Sequence, residues 1–150
     1  LGGVLRQVGR PQEVFSSPSD AEVATFVGVE TVVAGNVKAS SDGQVIVEAN
    51  GLTLEAVGDI PVGTQVYYCL RPEDITLSFS KPTSVSSARN RLNGSILQMT
   101  PSGPLVRVVV DCGIPVVALI TRGSANEMKL AEGQSITASF KATAVHLIRR

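Results

Sequence analysis

The sequence predicts an all-β fold of two tandem five-stranded barrels of the OB type, preceded by a short helix. Three observations predict it. After Gly28 the chain breaks into short runs rich in Val, Ile and Leu, separated at close intervals by Gly, Asn, Asp and Pro, the punctuation of strands and tight turns. Those runs come twice in the same order. VVAGNVKASSDGQVIVEANGLTLEAV followed by VGTQVYYCLRPEDITL parallels RLNGSILQMTPSGPLVRVVVDCGIPVVALIT followed by EGQSITASFKATAVHLI, the mark of an internal repeat. Each copy holds four or five strands in about 50 to 65 residues, which suits a partly closed barrel that leaves few strand edges exposed.

Taken in order, residues 1–28 end in SSPSDAEVATFVG, which carries helix punctuation. Ser17 is an N-cap, Pro18 sits in the first turn, Asp20 follows three after the cap, Val23, Ala24 and Val27 are apolar, and Gly28 is the stop. A helix is expected at about 18–27. The first copy, 29–80, places strands in VVAGNVKA, QVIVEAN, LTLEAV and QVYYCL, with RPED as a turn or salt bridge at a strand end. SFSKPTSVSSARN, with one Pro and five Ser, reads as the linker, and the second copy spans 84–150. Aligning Gly35 with Gly94 and Gly63 with Gly133 gives offsets of 59 and 70, so the second copy carries about eleven extra residues, several of them in TRGSANEMKLA.

A hydrophobic fraction of 43% in 150 residues is enough for a real core. Thirteen basic and thirteen acidic side chains cancel, which leaves no footprint for a polyanion. With no Trp, two Tyr and four Phe, the aromatic platform on which OB barrels stack single-stranded bases is largely missing. Nucleic acid is therefore not an expected partner. No apolar run reaches the roughly 18 residues of a membrane span, and the opening residues lack signal-peptide features. The chain starts on Leu1, so it is expected to be a piece of something longer. Cys69 and Cys112 show neither CxxC spacing nor partner histidines and are expected to be buried reduced thiols.

No catalytic constellation is present. GxxxxGK[ST], GxSxG and HExxH are all missing, and His146 is the only imidazole. It alternates with apolar neighbours in VHLI, which fits a partly exposed strand residue better than a ligand or base. Glu73 and Asp74 of RPED follow a proline and have Arg71 beside them, so a turn or salt bridge is favoured over acid–base work. The fragment is expected not to be an enzyme.

What remains is a set of hydrogen-bond donors: Ser86, Ser87 and Arg89 at the start of the second copy, Thr121 and Ser124 in its long insertion, and Lys141 in FKAT. In a five-stranded barrel the strand holding Lys141 can lie beside the one that follows Arg89, with the insertion covering both. A pocket of hydroxyls and cations without Asp or Glu favours a small anion that has only acceptors. A protonated phosphate would leave its O–H unpaired there, at a cost of roughly 1 to 3 kcal/mol, whereas molybdate, tungstate and sulfate carry no such proton. The competing reading makes SARN a polar linker and Lys141 a solvated side chain.

SARNRLNG, ALITRGSANEMKLAEGQSITASFKATAV and the closing apolar strand resemble the molybdate- and tungstate-binding Mop-type TOBE domain over nearly all of 86–148. RQVGRPQEVFSSPSDAEVATFVG resembles the end of an ABC-importer ATPase domain, and CLRPEDITLS is similar to the RPED strand of its regulatory barrels. The resemblance implies the C-terminal regulatory region of a molybdate/tungstate importer's ATP-binding subunit, with 1–28 as the ATPase tail. It also implies molybdate or tungstate as ligand, no cofactor, a homodimer with sites between subunits, inhibition of import when they fill, a membrane permease as partner, and a place on the cytoplasmic face of the membrane. The implied oxyanion contacts are Ser87, Arg89, Thr121, Ser124 and Lys141. Ala142 departs from relatives that place a hydroxyl there, and VETVVAGN replaces SARN in the first copy, so the second barrel alone is expected to bind. Two alternatives stay open. One is a dimerisation or protein-interaction module of an importer for a sugar, polyamine or iron; the other is a molybdate store or transcriptional regulator on the same barrel.

Overall fold

The computed structural model describes residues 28–79 and 87–150; the helix expected at 18–27 and residues 80–86 of the linker, Ser86 among them, lie outside them. The described chain forms ten strands. β1 (Thr31–Ser41), β2 (Gln44–Ala49), β3 (Leu52–Val57), β4 (Gln65–Leu70) and β5 (Thr76–Ser78) come from the first repeat. β6 (Asn90–Ser102), β7 (Leu105–Asp111), β8 (Pro115–Thr121), β9 (Ser135–Phe140) and β10 (His146–Arg149) come from the second. A helix, α1 (Arg122–Met128), occupies most of the insertion, and short 3₁₀ turns at Pro72–Asp74 and Ala142–Ala144 precede the last strand of each repeat. The RPED segment is therefore a turn, as expected. SITASFKATAVHLI, by contrast, is broken into two strands.

The repeat seen in the sequence is also a repeat of hydrogen bonds. β1 bulges between Val37 and Ala39 and β6 between Ile96 and Gln98, positions related by the same offset of 59. Beside each bulge the same pair of bonds recurs: Val37 N–H to Thr64 O and Gly63 N–H to Val37 O, then Ile96 N–H to Gln134 O and Gly133 N–H to Ile96 O. A bulge bends a strand and adds twist, which lets one long strand serve two neighbours. β6 pairs with β9 over its first half and with β7 over its second.

The two sheets run β10-β4-β1-β2-β3 and β5-β9-β6-β7-β8, so each repeat gives its last strand to the other. His146 pairs with Cys69, while Thr76 pairs with Ser139. The boundary between the repeats in sequence is thus crossed by both sheets. Further contacts tie the halves: Thr31 Oγ1 accepts from Val117 N at 3.1 Å, Asn50 donates to Gly113 O at 2.9 Å, and Arg107 pairs with Glu30 at 2.7 Å. One apolar core runs through both sheets, with the Tyr68 and Phe140 rings edge to face, centroids 6.3 Å apart. Exchanged strands and a shared core make the halves mutually dependent, which offsets the marginal stability of a barrel of this size alone.

At the free end of the first sheet Arg150 closes the structure. Its backbone N–H continues the β10–β4 ladder to Gln65 O, and its guanidinium donates to Val66 O and Gly35 O while lying over the Tyr67 ring. Both cysteines are free and buried, as expected. Burial pushes the Cys69 thiol up to about 12, and burial followed by the nearby Asp111 pushes Cys112 up to about 11. A raised thiol value means that the native state holds its proton more tightly. The associated stability is complete below the ordinary value of 9.0 and is lost as pH rises through the native values. The melting midpoint should accordingly hold from pH 7 to about 9 and then fall, and the fall should shrink in Cys69→Ala. An equal alkaline fall in both proteins would contradict this.

Candidate functional site

β6 and β9 run antiparallel with Asn90 opposite Phe140. Arg89 immediately precedes Asn90 and Lys141 immediately follows Phe140, so two cations that lie 52 positions apart in sequence flank the same end of the β6–β9 ladder. Ser87 and Lys141 are exposed. Among the described residues the Lys141 side chain has no hydrogen-bond or ion-pair partner; its carbonyl accepts from Ala144 N–H at 3.0 Å, and it precedes the Ala142–Ala144 turn without capping it through its side chain. Arg89, 63% exposed, is not free: its Nε donates to Glu55 Oε1 at 3.3 Å.

Glu55 corrects the expectation of an acid-free pocket. It belongs to β3 of the first repeat, 34 residues upstream of Arg89, where inspection of the sequence around SARN cannot find it. Gln44 Nε2 also donates to its Oε1, at 2.8 Å. The backbone of Glu55 is held by Asn90, whose side-chain oxygen accepts from Glu55 N at 2.8 Å and whose amide donates to Glu55 O at 3.0 Å. The Tyr68 hydroxyl donates to the same carbonyl at 2.7 Å. Burial, and after it the Glu55 charge, drives that phenol well above its usual range. Asn90, 4% exposed, is therefore a buried clamp between the repeats and not part of an open donor cluster. Asn90→Ala should cost about 2 kcal/mol, since it strands the Glu55 N–H in the interior. Urea unfolding would measure it, and a loss below about 0.5 kcal/mol, the scale of an ordinary surface change, would contradict the clamp.

Thr121 and Ser124 lie elsewhere. Thr121 pairs with Leu105, and Leu105 neighbours the far end of β6 through its pairing with Ser102. Asn90 and Ser102 lie twelve residue steps apart on β6, about 40 Å of strand path at roughly 3.3 Å per residue. Thr121 is the N-cap of α1: its Oγ1 accepts from Ser124 N at 3.0 Å, and its hydroxyl donates to Ser124 Oγ at 3.0 Å. Both residues are exposed. Beside them, Met99, Pro101, Val106, Arg122, Ala125, Asn126 and Leu130 line a cavity of about 260 Å³. Of the five residues singled out from the sequence, one chain thus gathers Ser87, Arg89 and Lys141 at one end of β6 and Thr121 with Ser124 at the other. No hydrogen bond or ion pair joins the two groups among the described residues.

His146 is a half-buried strand residue, as expected, with Nε2 2.9 Å from Arg71 Nη1. Among the described residues no group of three or more His, Cys, Asp and Glu could hold a metal ion. No helix among them is long and apolar enough to cross a membrane.

Residues 86–147 match the family model described as the TOBE domain. The chain is 40% identical over 146 residues to the molybdate/tungstate import ATP-binding protein WtpC of Pyrococcus abyssi, a match covering 97% of this chain and 40% of that protein. To WtpC of Pyrococcus horikoshii it is 37% identical over 98% of its length, again 40% of the relative. To the spermidine/putrescine import ATP-binding protein PotA of Nitrosomonas europaea it is 26% identical over 97% of its length and 42% of the relative. The chain therefore spans about two fifths of the length of these relatives. Its fold is similar to a solved structure of the cytoplasmic molybdate-binding protein ModG with molybdate bound, at a TM-score of 0.75 and 22% identity. That match covers 83% of this chain and 99% of that one.

Proposed function

From a chain that carries a TOBE domain at residues 86–147 and is homologous along nearly its whole length to molybdate/tungstate import ATP-binding proteins, we infer the oxyanion-sensing regulatory region of such an importer. In this reading residues 1–28 are the tail of an ABC ATPase domain, 29–80 and 84–150 are the two regulatory units, and the ligand is molybdate or tungstate. The parent subunit works at the cytoplasmic face of the membrane on a permease.

The observation that supports the reading is the pairing of β6 with β9, whose end pair, Asn90 and Phe140, is flanked in sequence by Arg89 and Lys141. Two cations and the Ser87 hydroxyl at one strand end suit a tetrahedral dianion, which accepts hydrogen bonds and donates none. Thr121 and Ser124 complete the shell only from a second copy, because in their own chain they lie at the other end of β6. A twofold pair would then form two equivalent sites, each closed by both chains. Filling them fixes the relative placement of the two subunits, and a coupling of about 1 to 3 kcal/mol between that arrangement and the ATPase cycle would regulate import 5- to 150-fold.

Likeness to PotA supports a second reading, a dimerisation or protein-interaction module that binds no oxyanion. Isothermal titration with molybdate, tungstate, sulfate and phosphate separates the two. The sensor should bind molybdate or tungstate more tightly than phosphate. Flat titrations with all four would favour the module.

A further inference from the structure

We propose that Glu55 is an internal competitor for Arg89, a built-in carboxylate of the first repeat that raises the oxyanion concentration at which the second repeat responds. The proposal rests on the oxyanion reading above and gives the first repeat a part in it.

Of the two flanking cations Arg89 and Lys141, Lys141 has no acidic partner among the described residues, while Arg89 already has one. The carboxylate is not a passing surface contact. Its side chain is only 20% exposed, Gln44 holds Oε1, and the two-way amide clamp of Asn90 fixes the Glu55 backbone directly beside the residue that follows Arg89. The Glu55 backbone therefore stays beside the start of β6 when Arg89 is wanted elsewhere. Arg89 can move: its side chain is 63% exposed and meets Glu55 through Nε.

A dianion arriving beside Lys141 thus finds the second cation neutralised and a fixed negative charge behind it. To use Arg89 it must draw the guanidinium from Glu55 or share it, and either weakens binding relative to a site without the carboxylate. The contact it disturbs joins the start of β6 to β3. Ligand occupancy is in this way linked to the packing of the second repeat on the first, and only the Arg89 arm of the joint changes, since the buried Asn90 clamp does not involve the carboxylate.

Titration of tungstate into the wild-type chain, Glu55→Gln, Arg89→Ala and the double variant tests this. Glutamine keeps the shape and an acceptor for Gln44 while removing the charge, and equal melting midpoints would verify that the variants are folded. Glu55→Gln should bind tungstate about three- to tenfold more tightly, the scale of an ion pair of this exposure released together with a nearby like charge. In the Arg89→Ala background the same change should gain less than half as much. Unchanged or weaker binding by Glu55→Gln, with wild type binding and Arg89→Ala impaired, would overturn the competitor role and leave the site standing. An equal gain in both backgrounds would also overturn it, because Glu55 would then act on the ligand and not through Arg89. Absence of binding by both wild type and Glu55→Gln would remove the oxyanion reading and this inference with it.

Discussion

Gly94→Ala is expected to destabilise the fold by about 3 kcal/mol, at the upper end of overpacking costs. At this position β6 passes against the end of β7. An added Cβ would press on the Asp111 carbonyl oxygen and lie 2.9 Å from its carbon and from Cys112 Sγ. Backbone atoms held in a central sheet cannot step aside as a side chain can. For a chain of this length the midpoint should drop by roughly 6–12 °C. Gly35, its counterpart in the first repeat, offers an internal comparison. There the nearest obstacle is Val47 Cγ1 at 2.7 Å, with Glu48 O at 2.9 Å, and a valine side chain can yield part of the way. Gly35→Ala should therefore cost less than Gly94→Ala. Thermal and urea unfolding of both would decide it; equal midpoints for wild type and Gly94→Ala would show that the strands are not so closely apposed.

Arg89→Ala and Lys141→Ala should each weaken molybdate or tungstate binding at least tenfold, and together by about a hundredfold or more. A hydrogen bond to a charged group is worth about 1.5–3 kcal/mol, or roughly 10- to 100-fold. Both side chains are exposed and neither is in the core, so the melting midpoint without ligand should stay within about 2 °C, as for ordinary surface changes. That combination separates a binding role from a structural one. Loss of binding accompanied by a large fall in midpoint would point to a folding defect, and retained binding in the double variant would exclude this end of β6 as the site.

Why some of this was legible in the sequence and some was not follows from what each feature depends on. The strands were legible because each is a short β-branched run closed by Gly, Asn or Asp, and the repeat because those runs recur in the same order, with Gly35 matching Gly94 and Gly63 matching Gly133. That Arg89 and Lys141 flank one end of the same ladder follows from ordinary antiparallel pairing of β6 with β9. Exchange of β5 and β10 between the sheets was not legible: ITL and VHLI both fit the same edge, and only packing of the whole chain decides between them. The seven residues of α1 were hidden in an insertion too short to show a helical period, although Thr121 and Ser124 carry its cap. Glu55 was missed since its closeness to Arg89 depends on the meeting of the two repeats. The clamp that Asn90 makes on the Glu55 backbone depends on the same meeting of the repeats.

The central claim is that each oxyanion is held by the Arg89–Lys141 end of one chain and the Thr121–Ser124 end of another. Mixing two defective chains tests it most directly. Arg89→Ala/Lys141→Ala and Thr121→Ala/Ser124→Ala should each bind tungstate weakly or not at all when titrated alone. In an equimolar mixture allowed to exchange subunits, mixed pairs would contain one doubly damaged site and one intact site, so wild-type affinity should return at one site per mixed pair. No recovery on mixing, or full-affinity binding by a monomeric wild-type chain, would contradict the shared site.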